Sequence, residues 1–127
     1  MAKTILIADD SSTMRMLLFD ILSEQGYTVI MAEDDVEAVI LTFENNPDLI
    51  ISDIMMPQMD GIEACEEIRS KPELSDTMIA FLTARSEDYS QIAGFNAGAD
   101  DFISKPIRPK VLTSRIKALL KRYSIKR

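Results

Sequence analysis

The sequence contains no histidine and one cysteine, and these two scarcities exclude several classes of function. Without histidine, neither a Ser-His-Asp nor a Cys-His catalytic group can form, and a zinc site has almost no ligands. A single cysteine excludes an internal disulfide. The four glycines form no glycine-rich phosphate loop, which argues against a purely structural binding module.

The chain also lacks long hydrophobic runs and an excess of positive charge. No apolar run reaches the roughly 18 residues of a membrane span, and the N-terminus leads directly into a strand pattern without a signal peptide. The net charge of -7 argues against nonspecific binding to DNA or to an anionic membrane. We therefore expect a cytoplasmic domain with no membrane partner and no direct contact with nucleic acid.

What is present is the composition of one ordinary globular domain. The 127 residues, 46% apolar and 28% charged, are enough for one core and too few for two. No linker, internal repeat or low-complexity segment interrupts them. The whole range 1–127 is therefore predicted to be a single domain.

Strand and helix patterns alternate five times along the chain, with short connections. A continuous apolar run such as 49–51 is typical of a parallel strand that is buried on both faces. The alternation predicts a doubly wound α/β domain with a five-stranded parallel sheet in the flavodoxin-like order 2-1-3-4-5. The predicted strands are Thr4–Ala8, Thr28–Met31, the run ending at Asp53, Met78–Leu82 followed by Thr83, and Asp101–Ser104.

Capping residues predict where the helices begin and end. The signals are Ser11 or Ser12, Gly26, Asp34 or Asp35, Asn45-Asn46-Pro47, Gly61, Ser86, Gly98 and Pro109. Helical spacing then predicts the inward-facing residues. They are Met14, Leu17, Leu18, Ile21 and Leu22; Val36, Val39, Ile40 and Phe43; Ile62, Cys65 and Ile68; and Leu112, Ile116, Leu119 and Leu120.

Four of the predicted strands end in polar groups whose chemistry is complementary, namely Asp9 and Asp10, Asp53, Thr83, and Lys105. The carboxyl ends of parallel strands meet at one edge of a sheet, so these groups should share a cleft. Three carboxylates there would repel each other and raise the pKa of at least one, unless a hard divalent cation such as Mg²⁺ is bound. An aspartate beside Mg²⁺ can attack a phosphoryl group. A hydroxyl group and an ammonium group can then bind the phosphoryl oxygens.

This pattern resembles the receiver domain of two-component response regulators, the CheY-like family, and the resemblance covers essentially the whole chain. It implies that Asp53 is the phosphoacceptor and that a histidine kinase is the phosphodonor. It also implies that Asp9, Asp10 and Asp53 bind Mg²⁺ together with the backbone carbonyl of Met55. By this resemblance the chain is a signalling module and not an enzyme that turns over a substrate.

The resemblance further implies a switch. Thr83 and Lys105 would bind the phosphoryl group, and Thr83 would move toward it. Phe102 stands at the switch aromatic position and would fill the space that is left. The face made of the fourth predicted helix, the fifth strand and the last helix would then change shape. Lys105-Pro106 resembles the family's cis peptide.

The segments 98–106 and 114–122 are similar to receivers of OmpR/PhoB-type transcription factors, which dimerise through that face when they are phosphorylated. Asp101 and Arg115 match one of the intersubunit ion pairs of that subfamily. Gln91 and Val111 depart from it, since they stand where opposite charges are usual. The output would be a separate partner protein or a fused DNA-binding domain.

Two positions border the phosphoacceptor where the family varies to tune dephosphorylation, Met55 and Arg85. Apolar Met55 offers no side-chain acceptor to orient an attacking water, so we expect the phosphorylated form to live longer than in fast chemotaxis regulators. The alternative function is a haloacid-dehalogenase-like phosphohydrolase, which also uses Asp, Mg²⁺, Thr and Lys. Its nucleophile follows strand one in an Asp-x-Asp pattern, whereas this chain has Asp9-Asp10 there.

Overall fold

The computed structural model describes residues 2–53, 61–83 and 96–126. Its elements within these ranges are β1 (Thr4–Ala8), α1 (Ser12–Glu24), β2 (Thr28–Ala32), α2 (Asp35–Asn45), β3 (Leu49–Asp53), α3 (Gly61–Arg69), a 3-10 turn (Pro72–Leu74), β4 (Met78–Thr83), β5 (Asp101–Ser104) and α4 (Pro109–Lys126). The predicted helix that Ser86 would cap and Gly98 would end lies mostly in 84–95, outside the described residues, and its last residues, 96 and 97, are helical. Of the helices in the described ranges, none is long and apolar enough to cross a membrane.

The five strands form one parallel sheet in the order β2-β1-β3-β4-β5, as the sequence predicts. The register pairs Ala8 with both Ala32 and Ser52, so β1 and β3 end side by side at the centre of the sheet. Asp53 pairs with Leu82 in the same way. The residues that follow these strands therefore lie together beyond the carboxyl ends of the strands. This is the switch point between β1 and β3, from which the chain adds strands in opposite directions.

Two hydrophobic clusters lie on the two faces of the sheet. One is built with α1 and α4 and contains Leu18, Leu22 and Ile116, all fully buried. The other is built with α2 and α3 and contains Cys65 and Phe81. Every residue of β3 and β4 is buried, as expected for central parallel strands covered by helices on both faces. The predicted inner faces of α3 and α4 are confirmed, with Ile62 partly buried.

The predicted inner face of α2 is wrong in three of its four residues. Val36, Ile40 and Phe43 are 43%, 52% and 41% exposed, and Val39 alone is buried as predicted. The buried residues of the helix are Asp35, Ala38, Val39 and Thr42. Small side chains let α2 pack closely on the sheet, and the Thr42 hydroxyl donates to the Ala38 carbonyl at 2.7 Å, so its burial leaves no polar group unsatisfied. In α1, Leu17 was also predicted to face inward and is 41% exposed.

The predicted caps are confirmed where the structure describes them. The Ser11 hydroxyl accepts a hydrogen bond from Met14 N at 3.2 Å, and the Asp34 carboxylate accepts one from Glu37 N at 2.8 Å. Asn46 ends α2 in the left-handed conformation at φ 47°. These caps fix the loops after β1 and β2, and the loop after β1 carries the first two candidate site residues.

Candidate functional site

Three aspartates meet at the carboxyl edge of the sheet. Asp9 and Asp10 follow β1, and Asp53 is the last residue of β3. One carboxylate oxygen from each lies within 4.8 Å of the others. Asp9 and Asp53 are buried, with 1% and 9% exposure, whereas Asp10 is exposed. The sequence prediction that neighbouring strand ends bring these three groups together therefore agrees with the geometry.

Asp9 is held in place by its backbone and by one side-chain hydrogen bond. Its amide donates to the Ala32 carbonyl at 3.2 Å, and its Oδ1 accepts a hydrogen bond from Ser11 N at 2.9 Å. Burial is the main cause that raises the pKa of the Asp9 carboxyl above its usual value of 3.8. The Ser11 hydrogen bond opposes that rise, and the charges of Asp53 and Asp10 add to it.

The other oxygen of Asp9 has the properties of a metal ligand. Oδ2 is buried and has no hydrogen-bond partner among the residues that the structure describes. An unsatisfied buried carboxylate oxygen is costly, and a cation in contact with it would remove that cost. All three groups supply hard oxygen donors, which suit Mg²⁺ or Ca²⁺ and not a thiophilic metal. The acidic cluster therefore fits a divalent cation, although the carbonyl of Met55 lies outside the described residues.

Lys105 reaches the same site from the end of β5. Its Nζ lies 3.0 Å from Oδ2 of Asp53, with the two side chains 32% and 13% exposed. The backbone places it there, since Lys105 N donates to the Thr83 carbonyl at 2.9 Å and the Lys105-Pro106 peptide is cis, as predicted. Thr83 ends β4 and is 1% exposed. Four strand ends thus contribute to one acidic pocket with a single ammonium group in it among the described residues.

Two supporting residues were not identified from the sequence. Arg15 Nη1 donates to the Asp9 carbonyl at 2.8 Å and so ties α1 to the acidic loop. Ser52 Oγ, buried beside Asp53, lies 3.2 Å from the Asp53 carbonyl and 3.4 Å from Oδ1 of Asp35. Neither residue belongs to a motif. The Arg15 contact and the contact of Ser52 with Asp35 depend on how a helix packs against the sheet, which no local pattern in the sequence reports.

Phe102 and the proposed dimer pair lie on β5 and α4. The Phe102 ring is 8% exposed and packs against Phe81 with 5.7 Å between ring centroids. Arg115 Nη1 lies 3.0 Å and 3.1 Å from the two carboxylate oxygens of Asp101 in the same chain. An intersubunit pair of these residues would therefore have to replace an existing contact within the chain. Arg85 and Gln91 lie outside the described residues.

A parallel five-stranded sheet with an acidic cluster at its switch point defines an α/β module whose carboxylates fit a divalent cation. The chain matches the response regulator receiver domain over residues 5–117. It belongs to this family and is a receiver domain of two-component systems, with a flavodoxin-like fold. The family is one of signalling modules rather than classical enzymes, which argues against the phosphohydrolase alternative.

Similar proteins include transcriptional and chemotaxis regulators. The response regulator MprA of Mycobacterium sp. (strain KMS) is 43% identical over 94% of this chain and 51% of its own length. The transcriptional regulatory protein ResD of Bacillus subtilis is 44% identical, over 94% and 49%. The chemotaxis protein CheY4 of Vibrio cholerae superimposes with a TM-score of 0.89 and is 29% identical, over 94% of this chain and 99% of that structure. The chain spans about half the length of the curated relatives that it matches.

Proposed function

We propose that Asp53 accepts a phosphoryl group from a histidine kinase and that the phosphorylated chain acts as a signalling switch. The observation that carries this proposal is the 3.0 Å contact of the Lys105 ammonium group with a buried aspartate inside an acidic cluster. Water would screen an ion pair at the exposed Asp10, whereas Asp53 is buried. Contact with Asp53 instead places the ammonium group where a phosphoryl group on that carboxylate would carry its negative oxygens.

The proposed reaction forms one bond and breaks one. A carboxylate oxygen of Asp53 attacks phosphorus, the phosphorus–nitrogen bond to the kinase histidine breaks, and the imidazole nitrogen keeps the electron pair. The product is an acyl phosphate. Lys105 then moves its hydrogen bond from the Asp53 oxygen to a phosphoryl oxygen, and the Thr83 hydroxyl donates a second one.

Asp9, Asp10 and Asp53 would bind Mg²⁺ in this proposal, with the Met55 carbonyl as a further ligand. The cation would neutralise charge that collects on the phosphoryl oxygens and on the three carboxylates. The buried Oδ2 of Asp9, which has no hydrogen-bond donor within the described ranges, supports this assignment. Asp9 is fixed by its hydrogen bond from Ser11, so it can keep its position whether or not the cation is bound.

The switch would connect Thr83 to Phe102 across neighbouring strands. Thr83 pairs with Ser104 in the sheet, and Phe102 lies two residues earlier on β5. Phe102 is already buried against Phe81, so we expect the ring to repack inside the protein and not to enter from solvent. The readout would be a change in the face that contains β5 and α4, and the effect is limited to the difference in stability between the two states.

The output is proposed to follow the transcriptional relatives: a fused DNA-binding domain or a separate partner, with a phosphorylation-dependent homodimer as the active form. A dimer that uses Asp101 and Arg115 between subunits would give up their contact within the chain. The net gain from that exchange is close to zero, so packing of apolar groups would have to stabilise the dimer. The single-domain span of 1–127 and the cytoplasmic location stay predictions.

The test is the intact mass of the protein after incubation with Mg²⁺ and acetyl phosphate, beside the Asp53→Asn variant. We expect wild type alone to gain one phosphoryl group, and the gain to disappear when EDTA removes the metal. Size-exclusion chromatography of the same sample then tests the dimer. Equal phosphorylation of both proteins would contradict the assignment of Asp53.

If the wild-type protein gains no mass, either it is a degenerate receiver that cannot be phosphorylated or its acyl phosphate is too short-lived to detect. Beryllofluoride distinguishes these two explanations. This mimic of the phosphoryl group does not turn over. If beryllofluoride shifts the amide resonances of Thr83, Phe102 and Lys105 in the wild type but not in Asp53→Asn, the acyl phosphate is short-lived. No shift in either would overturn the proposal. A lifetime of seconds that lengthens when Met55 is made polar would contradict the expected slow dephosphorylation.

A further inference from the structure

We propose that the exposed flank of α2 is a docking surface for a basic amphipathic helix of a partner protein. The surface consists of Val36, Ile40 and Phe43, called here the α2 stripe. These side chains are 43%, 52% and 41% exposed. Their spacing of four and then three residues puts them in one line along the helix, about 10 Å long.

The α2 stripe is separate from the side chains through which α2 packs on the sheet. The helix already buries a separate set of small residues against the sheet, including Ala38, Val39 and Thr42. On its other flank, Leu41 packs against the cluster that α2 shares with α3. Because α2 lies over β1 and β2, and β2 is the outermost strand, no described element covers the flank that carries the stripe. Isolated exposed apolar residues are ordinary, but three in line on one helix indicate an interaction surface.

The charge around the stripe specifies the partner. Every charged residue between Arg15 and Arg69 is an aspartate or a glutamate. Two exposed glutamates of α2 lie beside the stripe: Glu37 directly follows Val36, and Glu44 directly follows Phe43. A helix that packs beside the stripe would therefore place its flanking residues against carboxylates. Lysine or arginine at those flanks would give the charge pattern of a two-stranded coiled coil.

A second copy of this chain does not supply such a helix. Two α2 helices packed together would bring Glu37 and Glu44 of one copy against the same residues of the other, and like charges repel. The basic helix α4 has the right charge, but Val111 is its only large exposed apolar side chain among the described residues. The chemistry thus favours a different protein, with apolar residues at i, i+4 and i+7 and basic residues beside them.

The test uses a designed peptide with leucine at a and d positions and lysine at e and g positions over about three heptads. Titration into the isotope-labelled receiver domain should shift the amide resonances of α2 and give a dissociation constant. Two matched peptides serve as controls: one with glutamate in place of lysine and one with serine in place of leucine. We expect both controls to bind at least about tenfold more weakly.

Variants of the receiver domain then locate the site. Ile40→Gln should weaken binding about tenfold or more, because it removes a large apolar contact. Val111→Gln, at an equally exposed position on α4, should leave it unchanged. Glu37→Gln combined with Glu44→Gln should weaken binding about fivefold and reduce its salt dependence. All three variants alter exposed side chains, so unchanged circular dichroism confirms that they fold.

The acidic pocket could also attract a basic peptide, and Asp53→Asn tests this. Binding through the α2 stripe should be unaffected by that substitution. Loss of binding in Asp53→Asn, shifts confined to the loop after β1, or a dissociation constant above about 1 mM would each overturn the proposal. Concentration-dependent self-association that Ile40→Gln abolishes would overturn it in favour of a second copy.

Discussion

Asp100 and Asp101 are neighbours in the chain, and each is paired with an arginine, but the two pairs lie on opposite faces of the sheet. Asp100 Oδ2 lies 2.6 Å from Arg69 of α3, with side chains 9% and 19% exposed. Asp101 lies 3.0 Å from Arg115 of α4, with side chains 25% and 48% exposed. The residue types and the separations are alike, so the two pairs differ mainly in burial and in further partners.

Those additional hydrogen-bond partners determine how much each ion pair contributes to the stability of the fold. Arg69 also donates to the Gly98 carbonyl at 2.9 Å and to the Thr77 carbonyl at 2.6 Å, and Asp100 accepts from Ile79 N at 2.9 Å. The first pair therefore joins α3, the start of β4 and the turn before β5. Within the described part of the chain, the Arg115 guanidinium hydrogen-bonds to Asp101 alone. We therefore expect an ion pair to stabilise this fold mainly when it also satisfies backbone groups.

Arg69→Ala should have the largest effect. It removes one donor from the Asp100 carboxylate, which keeps its hydrogen bond from Ile79 N, and one from each of two carbonyl groups, so we expect the free energy of unfolding to fall by about 2–4 kcal/mol. Urea denaturation measures this, with the exposed Lys71→Ala as the matched control. A loss below about 1 kcal/mol would show that burial does not separate the two pairs.

Gly98→Ala should disturb the same contact from the other side. Gly98 has φ +109°, and an added Cβ would lie 2.8 Å from Cγ of Arg69. We expect a loss of about 1–3 kcal/mol from strain and displacement of the arginine. Gly26→Ala is the control, since Gly26 has φ +91° and no atom within 4 Å of an added Cβ. Equal losses in the two variants would assign the effect to backbone conformation alone.

Lys105→Ala tests a pair of intermediate burial. The ammonium group neutralises Asp53 inside the acidic cluster, so without metal its removal should destabilise the protein by about 1–2 kcal/mol. It should also increase the stabilisation that Mg²⁺ gives, because the lysine charge repels the cation. Thermal unfolding with and without Mg²⁺ measures both effects. A smaller gain from Mg²⁺ in the variant would contradict this competition.

Asp9→Asn addresses a carboxylate whose buried Oδ2 has no hydrogen-bond donor among the described residues. Its pKa is raised in the folded state, so ionisation lowers the stability of the folded protein progressively as pH rises above 3.8, and the loss is complete once pH exceeds the folded-state pKa. In metal-free protein, Asp9→Asn should therefore increase stability at neutral pH, by less than Lys105→Ala decreases it. The gain should vanish as pH falls below 3.8, where both states of wild type are protonated.

The control for this variant is Asp10→Asn, at the exposed member of the cluster. We expect it to change the pH dependence of the metal-free protein less than Asp9→Asn does. A gain from Asp9→Asn that persists unchanged below pH 3.8 would show that ionisation is not its cause.

Arg115→Ala should have the smallest effect, below about 1 kcal/mol, because water screens the exposed pair. Added salt should reduce even that difference, whereas it should leave the Arg69→Ala loss nearly unchanged. Urea denaturation at low and high salt measures both. A loss from Arg115→Ala as large as that from Arg69→Ala would show that burial and backbone partners do not distinguish the two ion pairs.

The sequence predicts the carboxyl edge of the sheet well because its signals there are local. Asp53 ends an apolar run, Lys105 precedes a proline, and Pro109 begins α4 where predicted. Alternation and handedness predict a doubly wound sheet, and the strand order 2-1-3-4-5 that we expect for it brings the three aspartates together.

The face of α2 could not be predicted in the same way because two stripes in that helix have helical spacing. Periodicity selects the larger residues, Ile40 and Phe43, whereas close packing on the sheet selects Ala38 and Thr42. Contacts such as that of Arg15 with the Asp9 carbonyl could not be predicted from the sequence for a related reason. They join residues whose proximity depends on how α1 packs on the sheet. Tertiary packing decides both, and it leaves no periodic signal.

Charged residues are separated by sign along the chain. Every charged residue between Arg15 and Arg69 is acidic, and every charged residue after Asp101 is basic. These two segments contain β2 and β5, the opposite edges of the sheet. The net charge of -7 hides this polarity. In an encounter, a cationic partner is turned toward the α2 edge and an anionic partner toward the α4 edge, so two partners of opposite charge can approach together without competing for one surface.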